Sequence, residues 1–277
     1  MLRQLTTCRG NFFNNSLFAL LFLALSGCGW ENRLIFHPST VIARTPRDVG
    51  LDYQDLYFTT ADNARLNGWF IPHPQARATM VWFHGNAGNI GDRVGNIKLL
   101  HDKCAISIFI FDYRGYGRSP GSPSETSAYL DGAAAMEYVQ RQLKVESRDL
   151  VIFGRSLGAA VAVEMASRYP SRAVILESPF TSIGDMARVI LPWLPIGPLL
   201  SAKFDNLAKV GKLSAPLLVL HGERDEIIPF AQGQQVFAAG REPKAFYPIK
   251  GAGHNDTFIV GGDLYYDRLQ SFIETQR

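Results

Sequence analysis

Apolar and polar positions alternate in two early stretches and then stop alternating. DYQDLYFTT (52–60) and ARLNGWFIP (64–72) alternate around Asp62-Asn63, the pattern of an antiparallel hairpin. Beyond it come mostly continuous apolar runs: TMVWFH (79–84), AISIFIFDY (105–113), DLVIFG (149–154), RAVILES (172–178), APLLVLHG (215–222) and KAFYPI (244–249). Such runs suit strands buried on both faces of a parallel sheet. Helical spacing fills the intervals at 91–102, 124–144, 156–169, 229–239 and 263–275, with Ser124 or a neighbour as a cap for the second. The alternation predicts an α/β domain over 51–277, a doubly wound sheet with right-handed crossovers. Between the strands at 172–178 and 215–222 lies a Pro-, Leu- and Trp-rich insertion, about 179–214, read as a small cap over the sheet's C-terminal edge.

The first thirty residues break this pattern. Arg3 and Arg9 precede a wholly apolar LFALLFLAL (17–25), which is followed by Ser26-Gly27-Cys28. The run is shorter than the ~20 residues of a membrane span. A positive start, an apolar middle and small residues at a cut are the layout of a signal peptide, here 1–27. L-S-G-C also resembles the bacterial lipobox, which implies lipidation of Cys28 as the first mature residue; an ordinary secretory signal or an uncleaved anchor are the alternatives. Residues 28–50 then read as an anchor and extended lead-in. The implied location is the bacterial envelope, lipid-anchored, with Gly29 favouring the outer membrane facing the periplasm. The only other cysteines are Cys8 and Cys104, so no disulfide framework is expected.

The 277 residues carry a formal net charge of +3 and no basic block, which argues against a nucleic-acid partner. No spacing suggests a metal site, and no cofactor is implied. GNAGNIG (85–91) is Gly-rich between strand and helix but lacks the G-x-G start and the Gly-Lys-Ser of nucleotide loops.

The chemistry gathers where open α/β sheets place their sites, beyond the C-terminal ends of the strands. GRSLG (154–158) puts Ser156 on a strand-to-helix corner between Gly154 and Gly158, with helix N–H groups nearby for an anion. Asp225 follows the strand that ends in His221-Gly222, and His254 follows the last strand in GAGHND (251–256). Ser, carboxylate and His thus occupy strand ends in the order Ser…Asp…His. Other groups compete. Glu177 also ends a strand, Glu223 and Glu226 flank Asp225, and Asp256 follows His254 too closely to orient its ring easily. His84 and His221 precede glycines and read as loop-shaping. His37, His73 and His101 have no evident partner. Asp112 reads as a buried, bonded loop residue.

WFHGNAGNIGDR, DYRGYGRSPGSPSE, GRSLGAAVA, LESPF, LHGERDEIIP and GAGHND, in this order, resemble the α/β-hydrolases, and among them the Bem46-like branch of serine hydrolases. The resemblance covers about 50–277. It implies an α/β-hydrolase fold and a serine hydrolase acting on acylated substrates, as an esterase or thioesterase. It implies Ser156 as nucleophile, His254 as base and Asp225 as acid, since the fold supplies the acid after the strand preceding the His-bearing one. It implies an oxyanion hole from the N–H groups of Leu157 and Asn86. A peptidase or amidase with the same triad is the nearest alternative; a non-catalytic hydrolase-like envelope protein is another. The cap segment 191–196 either lines an acyl pocket or packs the cap onto the sheet.

Overall fold

A computed structural model describes residues 30–194 and 196–276. The chain begins with a short helix α1 (Trp30–Ile35), a two-residue strand β1 (His37–Pro38) and a 3-10 turn over Pro46–Val49. The hairpin is β2 (Gln54–Thr59) with β3 (Arg65–Ile71). There follow β4 (Thr79–Phe83), β5 (Ala87–Gly88), α2 (Val94–Cys104), β6 (Ser107–Phe111) and α3 (Glu125–Arg141). Next come β7 (Leu150–Arg155), α4 (Leu157–Ala166), β8 (Ala173–Glu177), α5 (Ile183–Ile190) and α6 (Leu207–Val210). The chain closes with β9 (Leu217–Gly222), α7 (Phe230–Ala239), β10 (Lys244–Ile249), α8 (Thr257–Val260) and α9 (Gly262–Thr275).

The main sheet is eight-stranded, in the order β10-β9-β8-β7-β4-β6-β3-β2. From β10 to β6 neighbouring strands are parallel; β3 and β2 continue the sheet antiparallel, as the hairpin pattern predicts. The continuous apolar runs serve two faces at once. Val81 and Phe83 of β4, Phe109 and Phe111 of β6 and Ile152 of β7 enter one core layer with Met136 of α3 and Val161 of α4. Their chain neighbours Met80, Trp82, Ile108, Ile110, Val151 and Phe153 enter the other, against Ile97 of α2 and Leu269 and Ile273 of α9. Side chains alternate across a strand, so a strand covered on both faces must be apolar throughout. α4 is buried along its whole length, and its Gly and Ala positions let it lie close to the sheet.

Two segments carry structure that the sequence pattern leaves open. The described part of the lead-in docks on the domain. Phe36 and Leu51 are buried in the two core layers, and β1 pairs in parallel with β5 through His37 with Ala87 and Pro38 with Gly88. The 179–214 insertion holds α5, a 3-10 turn over Gly197–Leu199 and α6, and it buries Phe180, Met186, Phe204 and Val210 in the first core layer. Trp193 neither lines an enclosed pocket nor packs the segment down, being 75% exposed. Cys28 and residues 1–27, where a leader is expected, lie outside the described residues, and among the described residues no helix is long and apolar enough to cross a membrane.

Candidate active site

Ser156 sits between β7 and α4 at φ 55°, ψ −121°, a conformation that side chains rarely adopt. Its flanking glycines are there for space. A Cβ on Gly154 would meet the Gly158 carbonyl oxygen at 2.4 Å and the Ala162 Cβ at 2.5 Å. One on Gly158 would stand 2.0 Å from the Phe83 carbonyl oxygen. The corner holds because the Ser156 N–H donates to the Glu177 carbonyl across the sheet at 2.9 Å.

His254 lies on the loop between β10 and α8, buried, with its ring between two partners. Nδ1 is 2.7 Å from Asp225 Oδ2, and Nε2 is 3.1 Å from Ser156 Oγ. The carboxylate fixes the tautomer: Nδ1–H donates to Asp225, leaving the Nε2 lone pair toward the hydroxyl. The Asp225 carboxylate is itself fully enclosed. Its Oδ1 accepts the N–H groups of Ile227 (3.0 Å) and Ile228 (2.7 Å). Burial alone would raise its pKa, but hydrogen bonds from His221 and His254 outweigh this and hold it below the usual carboxylate range.

Three of the competing carboxylates are engaged elsewhere. Glu226 Oε2 accepts the His254 main-chain N–H at 3.0 Å, and Asp256 Oδ1 accepts that of Gly253 at 2.7 Å, so both shape the loop. Glu177 is buried, 2.9 Å from Arg155 Nε, and accepts the hydroxyls of Thr257 (2.5 Å) and Tyr265 (2.6 Å). None of these three meets the His254 ring.

Two residues without a catalytic reading in the sequence join the site. His221, read as loop-shaping, places Nε2 3.2 Å from Asp225 Oδ2 and 3.0 Å from the Ile228 carbonyl oxygen. Its ring is fully buried against Gly233, where any Cβ would stand 2.1 Å from Nδ1. Arg155, the residue before Ser156, donates from Nη2 to the His254 carbonyl at 2.6 Å and to Asn255 Oδ1 at 3.3 Å. The signal for Arg155 lay in the strands: opposite charges end two adjacent apolar runs, and Arg155 pairs in register with Glu177.

Asn86 lies on the β4–β5 loop, and Leu157 starts α4 directly after Ser156. Gly85 brings the loop close: a Cβ there would lie 3.5 Å from Ser156 Cβ. Asn86 is held by the lead-in and by Tyr116. Its carbonyl accepts the His37 N–H (2.9 Å) and the Tyr116 hydroxyl (2.6 Å), while its Nδ2 donates to the Ile35 carbonyl (2.9 Å). Beneath the loop His84 and Asp112 are both fully buried, with Nε2 3.6 Å from Oδ1. His84 Nδ1 lies 2.7 Å from the Gly85 carbonyl oxygen, and Asp112 Oδ1 accepts the Ile90 N–H at 2.9 Å. Burial, with the nearby Arg93 charge, lowers the His84 pKa to about 3, and burial raises that of Asp112 to about 8. His73 and His101 meet edge-on, with ring centroids 4.6 Å apart, and Cys104 is a buried free thiol. No group of His, Cys, Asp and Glu among the described residues could hold a metal ion.

A family model described as serine aminopeptidase, S33, matches residues 74–208. The chain is 33% identical over 243 residues to protein bem46 of Schizosaccharomyces pombe, covering 83% of this chain and 79% of that one. It is 32% identical over 250 residues to the alpha/beta hydrolase domain-containing protein WAV2 of Arabidopsis thaliana, covering 83% of this chain and 81% of that one. An esterase of Pyrococcus furiosus superposes with a TM-score of 0.73 at 21% identity, over 87% of this chain and 98% of that one, a likeness of fold. Sheet, corner and relatives agree: the chain is a hydrolase and belongs to the Bem46-like branch of the α/β-hydrolase family.

Proposed function

We propose that this protein is a serine hydrolase that cleaves a carboxylic ester or thioester through an acyl-enzyme on Ser156. The observation that carries the reading is the single imidazole of His254 bridging Ser156 Oγ and Asp225 Oδ2. A serine hydroxyl is a poor nucleophile until a base takes its proton. His254 Nε2 takes it as Oγ attacks the substrate carbonyl. Asp225 holds the ring's orientation and stabilises the imidazolium that forms. The oxyanion accepts hydrogen bonds from the N–H groups of Leu157 and Asn86. His254 then protonates the leaving alcohol or thiol, which departs. A water, deprotonated by the same Nε2, hydrolyses the acyl-enzyme and restores Ser156.

The match of residues 74–208 to the serine aminopeptidase family favours amide cleavage as the second reading. Turnover of acyl esters, acyl thioesters and aminoacyl anilides by the purified protein tests both. Faster hydrolysis of esters or thioesters, lost in Ser156→Ala, is expected; preferential anilide cleavage would favour the peptidase. No turnover of any of them and no labelling of Ser156 would leave the non-catalytic envelope protein.

Lipidation of Cys28 and an envelope location belong to the same proposal. The mature protein is expected to begin at Cys28 with a thioether-linked diacylglycerol and to stay with membranes through a high-salt wash, since a hydrophobic anchor is not screened by salt. Mass spectrometry of the N-terminal peptide tests this; an unmodified Cys28 in an intact chain would overturn the anchor and leave the hydrolase reading standing.

A further inference from the structure

We propose that the exposed apolar side chains of the 189–199 segment, together with Leu34 of α1, form a docking surface for a lipid bilayer, so that the enzyme sits on its membrane by this face. The proposal rests on the anchored reading above and adds an orientation to it. Val189 (46%), Ile190 (68%), Trp193 (75%) and Leu199 (52%) are all exposed within one short stretch. That stretch is a built unit. The body of α5 is held down by Met186, which is buried, while its last turn carries Val189 and Ile190 into solvent. The 3-10 turn returns against the start of α5, so that a Cβ on Gly197 would stand 3.2 Å from the Gly184 carbonyl oxygen.

α1 is locked to the same unit. Glu31 accepts the N–H groups of Ser201 (3.0 Å) and Ala202 (3.1 Å), and the Ser201 hydroxyl as well. Phe36 packs edge-on against Phe204, with ring centroids 6.2 Å apart. One helical turn beyond Glu31, Leu34 is 64% exposed.

Chain length singles out a lipid surface as the occupant. Only Gly29 separates Cys28 from Trp30, where α1 begins, so two Cα steps join them. Fully extended, they span about 7 Å. A lipid on Cys28 therefore holds the start of α1 against the bilayer, and the face next to α1 has little choice but to meet it. The chemistry of that face agrees. A tryptophan and branched aliphatics flanked by exposed Arg33, and by Arg188 in its pair with Asp185, are the side chains that partition into an interface, with Arg33 free to reach anionic headgroups. The lead-in that fixes this face also holds Asn86 through Ile35 and His37, so the seated surface and the proposed oxyanion loop share one support. A substrate presented by the bilayer, an acyl ester with its chain in the lipid, fits this seating.

The test uses the full-length lipidated protein on vesicles of phosphatidylethanolamine and phosphatidylglycerol. Trp69 and Trp82 are fully buried, so in a Trp30→Phe background Trp193 is the exposed reporter. Flotation reads the anchor, and quenching by brominated acyl chains reads the face. Expected are flotation and loss of most of the Trp193 emission with brominated lipid, the loss being absent with plain lipid. In Ile190→Ser/Trp193→Ser, hydrolysis of a long-chain ester carried in the vesicles should fall about tenfold, as apolar area leaves the interface. Hydrolysis of a water-soluble short ester should be unchanged. Flotation without quenching overturns the docking surface and leaves the anchor. Failure to float overturns the anchor and the docking proposal with it. A dimer in detergent that the double variant dissociates would make this face a contact between two copies, which also overturns it.

Discussion

Arg155 Nη2 donates to the main-chain carbonyl of His254 at 2.6 Å, so the residue before the nucleophile holds the loop that carries the base. The same guanidinium faces Glu177, whose carboxylate also takes hydroxyls from Thr257 and Tyr265, just beyond His254 in the chain. The Ser156–His254 distance is therefore set from beneath by a buried ion pair at the ends of β7 and β8. Arg155→Met leaves Glu177 buried and uncompensated and should cost about 3–5 kcal/mol of stability. It should also lower kcat by roughly 10- to 100-fold through a misplaced base. Arg155→Met/Glu177→Gln should recover most of the stability, because Gln still bonds Thr257 and Tyr265, but not the kcat. Unfolding midpoints and kinetics on the two variants check this; full recovery of kcat in the double variant would make the pair purely structural.

Asp225→Asn keeps shape but lets the side chain donate to His254 Nδ1, which favours the wrong tautomer, and kcat should fall by about 10⁴. His221→Phe removes the second imidazole on Asp225 and should cost far less, about tenfold, since the hydrogen bonds from Ile227, Ile228 and His254 remain. Steady-state kinetics with one ester ranks them, and the reverse order would contradict the assignment of the acid.

Asn86→Ala keeps the N–H assigned to the oxyanion but loses the bond to the Ile35 carbonyl. The loop then loses one of its ties to the lead-in, and kcat should fall roughly tenfold with KM nearly unchanged, because only the transition state carries the oxyanion. A change confined to KM would place Asn86 in substrate binding instead.

The His84–Asp112 pair gives a signed pH dependence. His84 drops from an ordinary 6.5 to about 3, so the unfolded chain binds the extra proton as pH falls below 6.5, and stability is lost on acidification. Asp112 rises from 3.8 to about 8, so the folded protein holds the extra proton, and stability is lost as pH rises through that window. Between about 4 and 6.5 the two slopes offset each other. Between about 6.5 and 8 only Asp112 acts, and the loss is on the order of 2 kcal/mol. Asp112→Asn should abolish that alkaline loss. Urea midpoints at pH 6.5 and 8 decide it; an equal loss in the variant would contradict the buried neutral carboxyl.

The sheet was legible in the sequence because a strand covered on both faces has no freedom to be polar, as the runs around Val81, Phe109 and Ile152 illustrate. The meeting of Ser156, Asp225 and His254 was legible because the corner glycines and strand ends mark their positions. The supports were not. Arg155, Glu177 and His221 act through bonds that span the sheet or the loop, and local spacing does not reveal which partner each one takes. The docking of the lead-in was out of reach for a related reason. Its polar, Pro-containing sequence has little periodicity, and its structure comes from contacts with Asn86, Gly88 and Ser201 far along the chain. The exposure of Trp193 was likewise beyond a pattern that reads apolar residues as buried.

The central claim is that Ser156 is the nucleophile. It is tested most directly by treating the purified protein with a fluorophosphonate and mapping the adduct by mass spectrometry. The expected result is a single phosphonyl group on Ser156, absent in Ser156→Ala and strongly slowed in His254→Ala, with Ser156→Ala also losing roughly 10⁴- to 10⁶-fold in kcat. An unlabelled Ser156 in folded protein, or a Ser156→Ala variant that keeps more than about a tenth of the activity, would contradict it.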